Sequence, residues 1–233
     1  THTRFLGRLK RIYSLNLAGV AAGVSMAGAP FSSQADKPSA TLKPITGDAQ
    51  PISTGERKAR IQNAQRLMKQ QGIDAILLEP GSAMLYFSGV SWWRSERLTA
   101  VIIPREGEIG IVTPFFEEPS VRESMTLGGD VRTWHEHDNP FKRVSGFLND
   151  RGISDGRIGL EGTVRQFVAQ GLAKAAPGLE IVSAEPGTRG CRMYKSAHEI
   201  ALMKKANEVT LTAYRHVYGK LEPGMEPADV KLL

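Results

Sequence analysis

Residues 88–98, SGVSWWRSERL, bring Trp92, Trp93, Arg94, Glu96 and Arg97 into one short stretch just ahead of the apolar run LTAVII. The chemistry open to such a group is recognition of an anion. A guanidinium is a planar fork whose N–H groups match a carboxylate bidentately, and indole rings add broad stacking faces. A loop aimed by a following strand is also where binding residues gather. The same residues admit a structural reading, in which Glu96 pairs with Arg94 or Arg97 and the tryptophans pack at a dimer interface. The sequence leaves both readings standing.

Other chemistry-bearing residues offer less. In WHEH, His135 and His137 flank Glu136, and side chains two apart on a strand point the same way, but no third ligand follows at a metal-site spacing. The group is therefore not read as a metal site. His198 falls in the first turn of a helix and is expected to be solvated. Cys191 sits in the connection EPGTRGCRMYK with no base beside it in sequence, and is expected to be a plain linker thiol. As the chain's single cysteine it excludes an internal disulfide and a multi-cysteine zinc site. Met203 and Met225 are read as core and turn residues. No catalytic residue and no metal ligand is assigned within the chain.

The elements that must position these residues alternate. Ser53 and Glu56 form a capping box before Ile61, Ala64, Leu67 and Met68 at helical spacing, with Gly72 at the C-terminal cap. DAILL reads as a short buried strand, GSAMLYFSG as a helical turn and loop, and LTAVIIP and IGIVTP as a hairpin across REGE. FFEEPSVRESM is read as helical, DVRTW as a strand, and NPFKRVSGFLNDRG as a helix capped by Asn139 with Pro140 in its first turn. RIGLE, TVRQFVAQGLAKAAPG and LEIVSA then read as strand, helix and strand. Short apolar strands alternating with helices predict an α/β sandwich with a mixed sheet over residues 53–187. Beyond it, Ser196 and Glu199 make another capping box. It opens a helix of roughly 23 residues, about 35 Å at 1.5 Å per residue. Its stripe of Ile200, Met203, Asn207, Leu211, Tyr214 and Tyr218 needs a partner.

Composition bounds the function classes. The 233 residues are 41% hydrophobic and 23% charged, ordinary for a globular protein. The net charge of +6 is not a nucleic-acid signal. Arg4, Arg8, Lys10 and Arg11 lie within residues 1–35 beside no acid, so residues 36–233 carry only about +2, with no basic run interleaved with aromatics. RFLGRLKR followed by the uncharged stretch Ile12 to Ala29 reads as a secretory leader over residues 1–35, with cleavage after Ala35; the alternative is an uncleaved membrane anchor, against which the Gly- and Ala-rich stretch and Asn16 speak. Export to the periplasm or the medium is expected, with membrane contact only through the leader. Residues 36–52, rich in Pro, Ser and Thr, read as a disordered tether.

The succession IDAILLEPGSAMLYFSGV, SWWRSERLTAVIIP, RMYKSAHEIALMKKANEVTLTAY and LEPGMEPADV resembles the creatinase, Xaa-Pro dipeptidase (prolidase) and Xaa-Pro aminopeptidase family over about residues 56–233. The resemblance implies an N-terminal α/β domain followed by a pita-bread catalytic domain. Residues 188–233 are then the linker and the first helix of that domain, and the rest of it would lie beyond this chain. It further implies hydrolysis beside proline by a dinuclear site of Mn, Co or Zn whose ligands belong to the pita-bread domain. This chain would bind no metal, would be inactive alone, and would contribute substrate gating and homodimer contacts. It implies that Arg97, from its spacing to YFSG, binds the carboxylate of a proline-containing peptide held by the partner subunit, with Trp92 and Trp93 beside it. A creatinase-like, metal-free amidinohydrolase and a non-enzymatic peptide-binding module are the alternatives.

Overall fold

The computed structural model describes residues 42–233, so the leader read at 1–35 and the start of the tether lie outside the described residues. Residues 42–52 carry no helix or strand. The chain divides into two compact units, one of Pro51–Glu199 and one in which described residues 42–50 join Ile200–Leu233.

The first unit begins with α1 (Thr54–Gln71), and both of its ends follow the sequence signals. The Ser53 side chain accepts the Glu56 N–H while the Glu56 carboxylate accepts the Ser53 N–H at 2.8 Å, and Gly72 closes the helix at φ 63°. There follow β1 (Ala75–Leu78), α2 (Ser82–Ser88), β2 (Ala100–Pro104), β3 (Gly110–Pro114), a 3-10 turn (Phe115–Glu117), α3 (Glu118–Ser124), β4 (Asp130–Trp134), α4 (Pro140–Asn149), β5 (Gly156–Leu160), α5 (Gln166–Ala175), β6 (Leu179–Ser183) and α6 (Glu185–Met193).

Among the described residues the strands form one six-stranded sheet in the order β4-β3-β2-β1-β5-β6. Only β2 runs against its neighbours: β1/β5, β5/β6 and β3/β4 are parallel, whereas β2 is antiparallel to both β1 and β3. The carboxyl ends of β1, β3, β4, β5 and β6 therefore share one edge of the sheet with the amino end of β2. In open α/β sheets that edge is where ligands bind.

Helices cover both faces, which is why AILL and AVIIP read as continuous apolar runs rather than alternating ones. Ile76, Leu78, Val101 and Ile103 face a core shared with Met68, Met84 and Phe87, while Ala75, Leu77, Ala100 and Ile102 face a second core with Val144, Phe147 and Leu172. Two glycines permit the closest approaches. A Cβ on Gly110 of β3 would lie 2.2 Å from the Phe147 ring, and one on Gly187 would lie 2.5 Å from Ile76 Cδ1, so α4 and α6 sit against the sheet only because these positions lack side chains.

The residues expected to be an interdomain connection, EPGTRGCRMYK, instead form α6, which packs against α1 with Gly187, Thr188 and Cys191 buried. Packing overrides the low helix propensity of its proline and two glycines. Cys191 is accordingly a core thiol and not a linker one. It is 5% exposed, with Asn63 Nδ2 at 3.3 Å from its sulfur, and burial pushes its pKa up to about 11.

Helix α7 (Ala197–Lys220) starts as expected: Ser196 Oγ accepts the Glu199 N–H at 3.1 Å, and Glu199 accepts the Ser196 N–H at 2.7 Å. His198 is not simply solvated, because its Nδ1 lies 2.7 Å from Glu56 Oε1, and Glu199 pairs with Arg60 at 2.7 Å. In the second unit Ile200, Met203, Leu211, Tyr214 and Tyr218 are exposed, so Met203 is not a core residue. A short helix α8 (Pro227–Lys231) follows.

Candidate functional site

The loop between α2 and β2 reaches the carboxyl edge of the sheet, and each of its polar side chains is held differently. Trp92 packs against the core and its Nε1 donates to Glu117 Oε2 at 3.1 Å. The same carboxylate oxygen accepts the Thr99 hydroxyl at 3.1 Å, and Thr99, just ahead of β2, contacts Thr113 of β3. Trp93 is the opposite case, 91% exposed. Adjacent residues with opposite fates are what an extended loop dictates: one side chain anchors, and the next faces water.

Of the two arginines, Arg94 is structural. Its Nε donates to the Pro80 carbonyl at 2.9 Å and its Nη2 to the Thr163 hydroxyl, tying the loop to the segments that follow β1 and β5. It makes no pair with Glu96. Arg97 does, through Nη1, and its Nε donates to Glu136 Oε1 at 2.6 Å, while the guanidinium lies 5.4 Å from the Phe116 ring. Glu136 above all, with Glu96 and Glu117 adding to it, raises the Arg97 pKa further, so the group is a fixed cation.

Both acids flanking Arg97 are largely exposed, and an exposed ion pair is a weak one. The Arg97 guanidinium is thus held at this edge by two acids that are themselves open to water. Exposed Phe115 and Phe116, with Trp93 on the same loop as Arg97, supply apolar surface at this edge.

His135 and His137 do not lie on a strand. β4 ends at Trp134, and Asp138 accepts the His135 N–H at 3.0 Å while donating its own N–H to the His135 carbonyl, which makes a turn. The two rings stack at 5.7 Å, and His135 lies 4.7 Å from Phe115. Among the described residues no three His, Cys, Asp or Glu side chains converge as a metal site. The described residues therefore do not supply the ligands of a dinuclear centre.

The residues that the sequence did not single out lie beneath the loop. Glu79, at the end of β1, is buried, and it accepts Arg165 Nη2 at 2.7 Å, Nε at 3.0 Å and the Arg165 backbone N–H at 2.7 Å. The same guanidinium also donates through Nη1 to the Ser95 carbonyl and through Nη2 to the Arg97 carbonyl. A glutamate directly after a buried strand, in LLEP, was the available signal; its partner is far along the chain and carries none.

Residues 60–194 match the model of the Creatinase/Prolidase N-terminal domain. The chain is 30% identical over 203 residues to an uncharacterized peptidase of Schizosaccharomyces pombe, covering 81% of this chain and 44% of that protein. It is 24% identical over 182 residues to a creatinase of a Bacillus species, covering 78% of this chain and 44% of that one. Among solved structures, dipeptidase PepE from Mycobacterium ulcerans superposes with a TM-score of 0.67 at 28% identity, over 78% of this chain and 48% of that chain. The chain thus spans a little under half the length of the curated relatives it matches.

Proposed function

The chain belongs to the creatinase/prolidase family through its N-terminal domain, and from that premise we propose that it gates and orients substrate for an exported peptidase that cleaves bonds next to proline. The relatives named as peptidase and dipeptidase support the reaction class, and the basic then uncharged composition of residues 1–35, read as a leader, supports export. Hydrolysis itself is assigned to a domain outside this chain, with a divalent cation, Mn, Co or Zn, held there. The homodimer is assigned the task of bringing the loop of one subunit to the substrate of the other.

The observation that carries the reading is Arg97: a cation at the ligand-binding edge of the sheet, on a tethered loop, with only water-exposed acids on its fork. Its partner is the free carboxylate of a proline-containing peptide. The test is Arg97→Ala in the whole protein, assayed with added Mn, Co or Zn on an Xaa-Pro dipeptide and on its C-terminally amidated counterpart. Loss of a charge-assisted contact lowers kcat/KM for the free acid about 10- to 100-fold and leaves the amide within about twofold. Equal losses on both substrates, or none, overturn the role of Arg97. The similarity to a creatinase favours one second reading, amidinohydrolysis of a guanidino acid, whose carboxylate Arg97 would serve equally; urea release from creatine without dipeptide cleavage selects it.

A further inference from the structure

We infer that Arg165, locked in place by Glu79, is the positioning residue that presents Arg97 to its ligand; this rests on the carboxylate role proposed for Arg97. The Glu79 side chain is wholly buried, and a buried carboxylate persists only when it is paired and hydrogen-bonded. Arg165 meets that demand three times, twice through its side chain and once through its main-chain N–H. This fixes the guanidinium plane, and its remaining donors then reach outward: Nη1 to the Ser95 carbonyl and Nη2 to the Arg97 carbonyl at 3.2 Å. Ser95 Oγ accepts the Arg97 N–H at 3.2 Å.

The main chain of Arg97 is thus held on both its sides, by Ser95 through the N–H and by Arg165 through the carbonyl. The donors under the loop thus converge on Arg97 and on Ser95, the residue that holds its N–H. An exposed loop left to itself would sample many conformations, each moving the guanidinium by more than a carboxylate contact tolerates. The fork geometry is required: a lysine could answer Glu79 but could not at the same time reach two carbonyls in fixed directions.

The experiment is Arg165→Lys in the whole protein, which keeps the charge beside Glu79 and removes the fork. KM for the Xaa-Pro dipeptide rises about 10-fold, kcat and the rate on the amidated substrate stay within about twofold, and the effect vanishes in an Arg97→Ala background. In this chain alone, amides of residues 95–98 exchange faster than in the parent while those of β1 and β5 do not change. Equal losses on both substrates that persist in the Arg97→Ala background would make Arg165 a general structural residue and overturn the inference, as would unchanged KM with unchanged exchange. If Arg165→Lys does not fold, Glu79→Gln, which keeps the size and one acceptor, is read the same way. If Arg97→Ala alone shows no preference between acid and amide, the carboxylate reading fails by itself, and the exchange of residues 95–98 still decides whether Arg165 holds the loop.

Discussion

Glu79 grips both the side chain and the backbone of Arg165, with Oε1 2.7 Å from Nη2 and Oε2 2.7 Å from the main-chain nitrogen of a residue 86 positions later. The pair therefore ties the end of β1 to the start of α5 as well as supporting the loop. Its loss is costly because the acid is left buried without a cation. Arg165→Met lowers the unfolding free energy by about 3 kcal/mol, the lower end for breaking a buried pair, because Arg165 itself is partly exposed. Urea melts of the two proteins measure it, and a change below about 1 kcal/mol would mean that water already screens the pair.

Glu56 makes stability depend on acid. The Ser53 N–H first, then His198 and the Ser53 hydroxyl, hold its carboxyl down at about 2 from an ordinary 4.5. A depressed folded pKa stabilises above the unfolded value, so the contribution is complete above pH 4.5 and disappears as pH falls toward 2. Thermal melts of the parent and Glu56→Gln should differ most at neutral pH and converge across that window. Melting curves separated equally at every pH would rule the linkage out.

Cys191 should be nearly inert. With its pKa near 11 rather than 9.0, the thiolate fraction at pH 8 drops about a hundredfold before access is considered. Alkylation by iodoacetamide in the native protein is slower than in urea by at least that factor. The sign for stability is the reverse of the Glu56 case: a raised folded pKa stabilises below pH 9.0, and the contribution is lost as pH rises through about 11. Fast labelling under native conditions would place the thiol at the surface and undo both expectations.

What was legible in the sequence was local. Ser53 with Glu56, Ser196 with Glu199 and Asn139 before Pro140 announce helix starts because cap and acceptor lie within three residues, and each forms as read. The strands were legible because both faces are covered, so AVIIP has no polar interruption. The loop 88–98 stood out by composition alone, and it does occupy the edge of the sheet where the strands end. What escaped depends on distance along the chain. Arg97 is paired by Glu136, 39 residues away, and Glu79 by Arg165. Helix α6 escaped because Pro186, Gly187 and Gly190 look like a connection, whereas Gly187 is there for contact with Ile76. His198 escaped because its partner, Glu56, stands at the opposite end of the domain sequence.

The central position of β1 has a consequence during synthesis. Ala75 pairs with Pro104 on one side and with Ile158 on the other. As the chain leaves the ribosome, the antiparallel meander of β1, β2 and β3 can close as soon as Pro114 emerges, from contacts made along a short span. The other edge of β1 must wait for residues 156–160. Through that interval AILL offers an open row of backbone groups on an apolar strand, the kind of edge that pairs with a wrong neighbour. The parallel half of the sheet is therefore the half whose edge stays unpaired longest while the chain is being made.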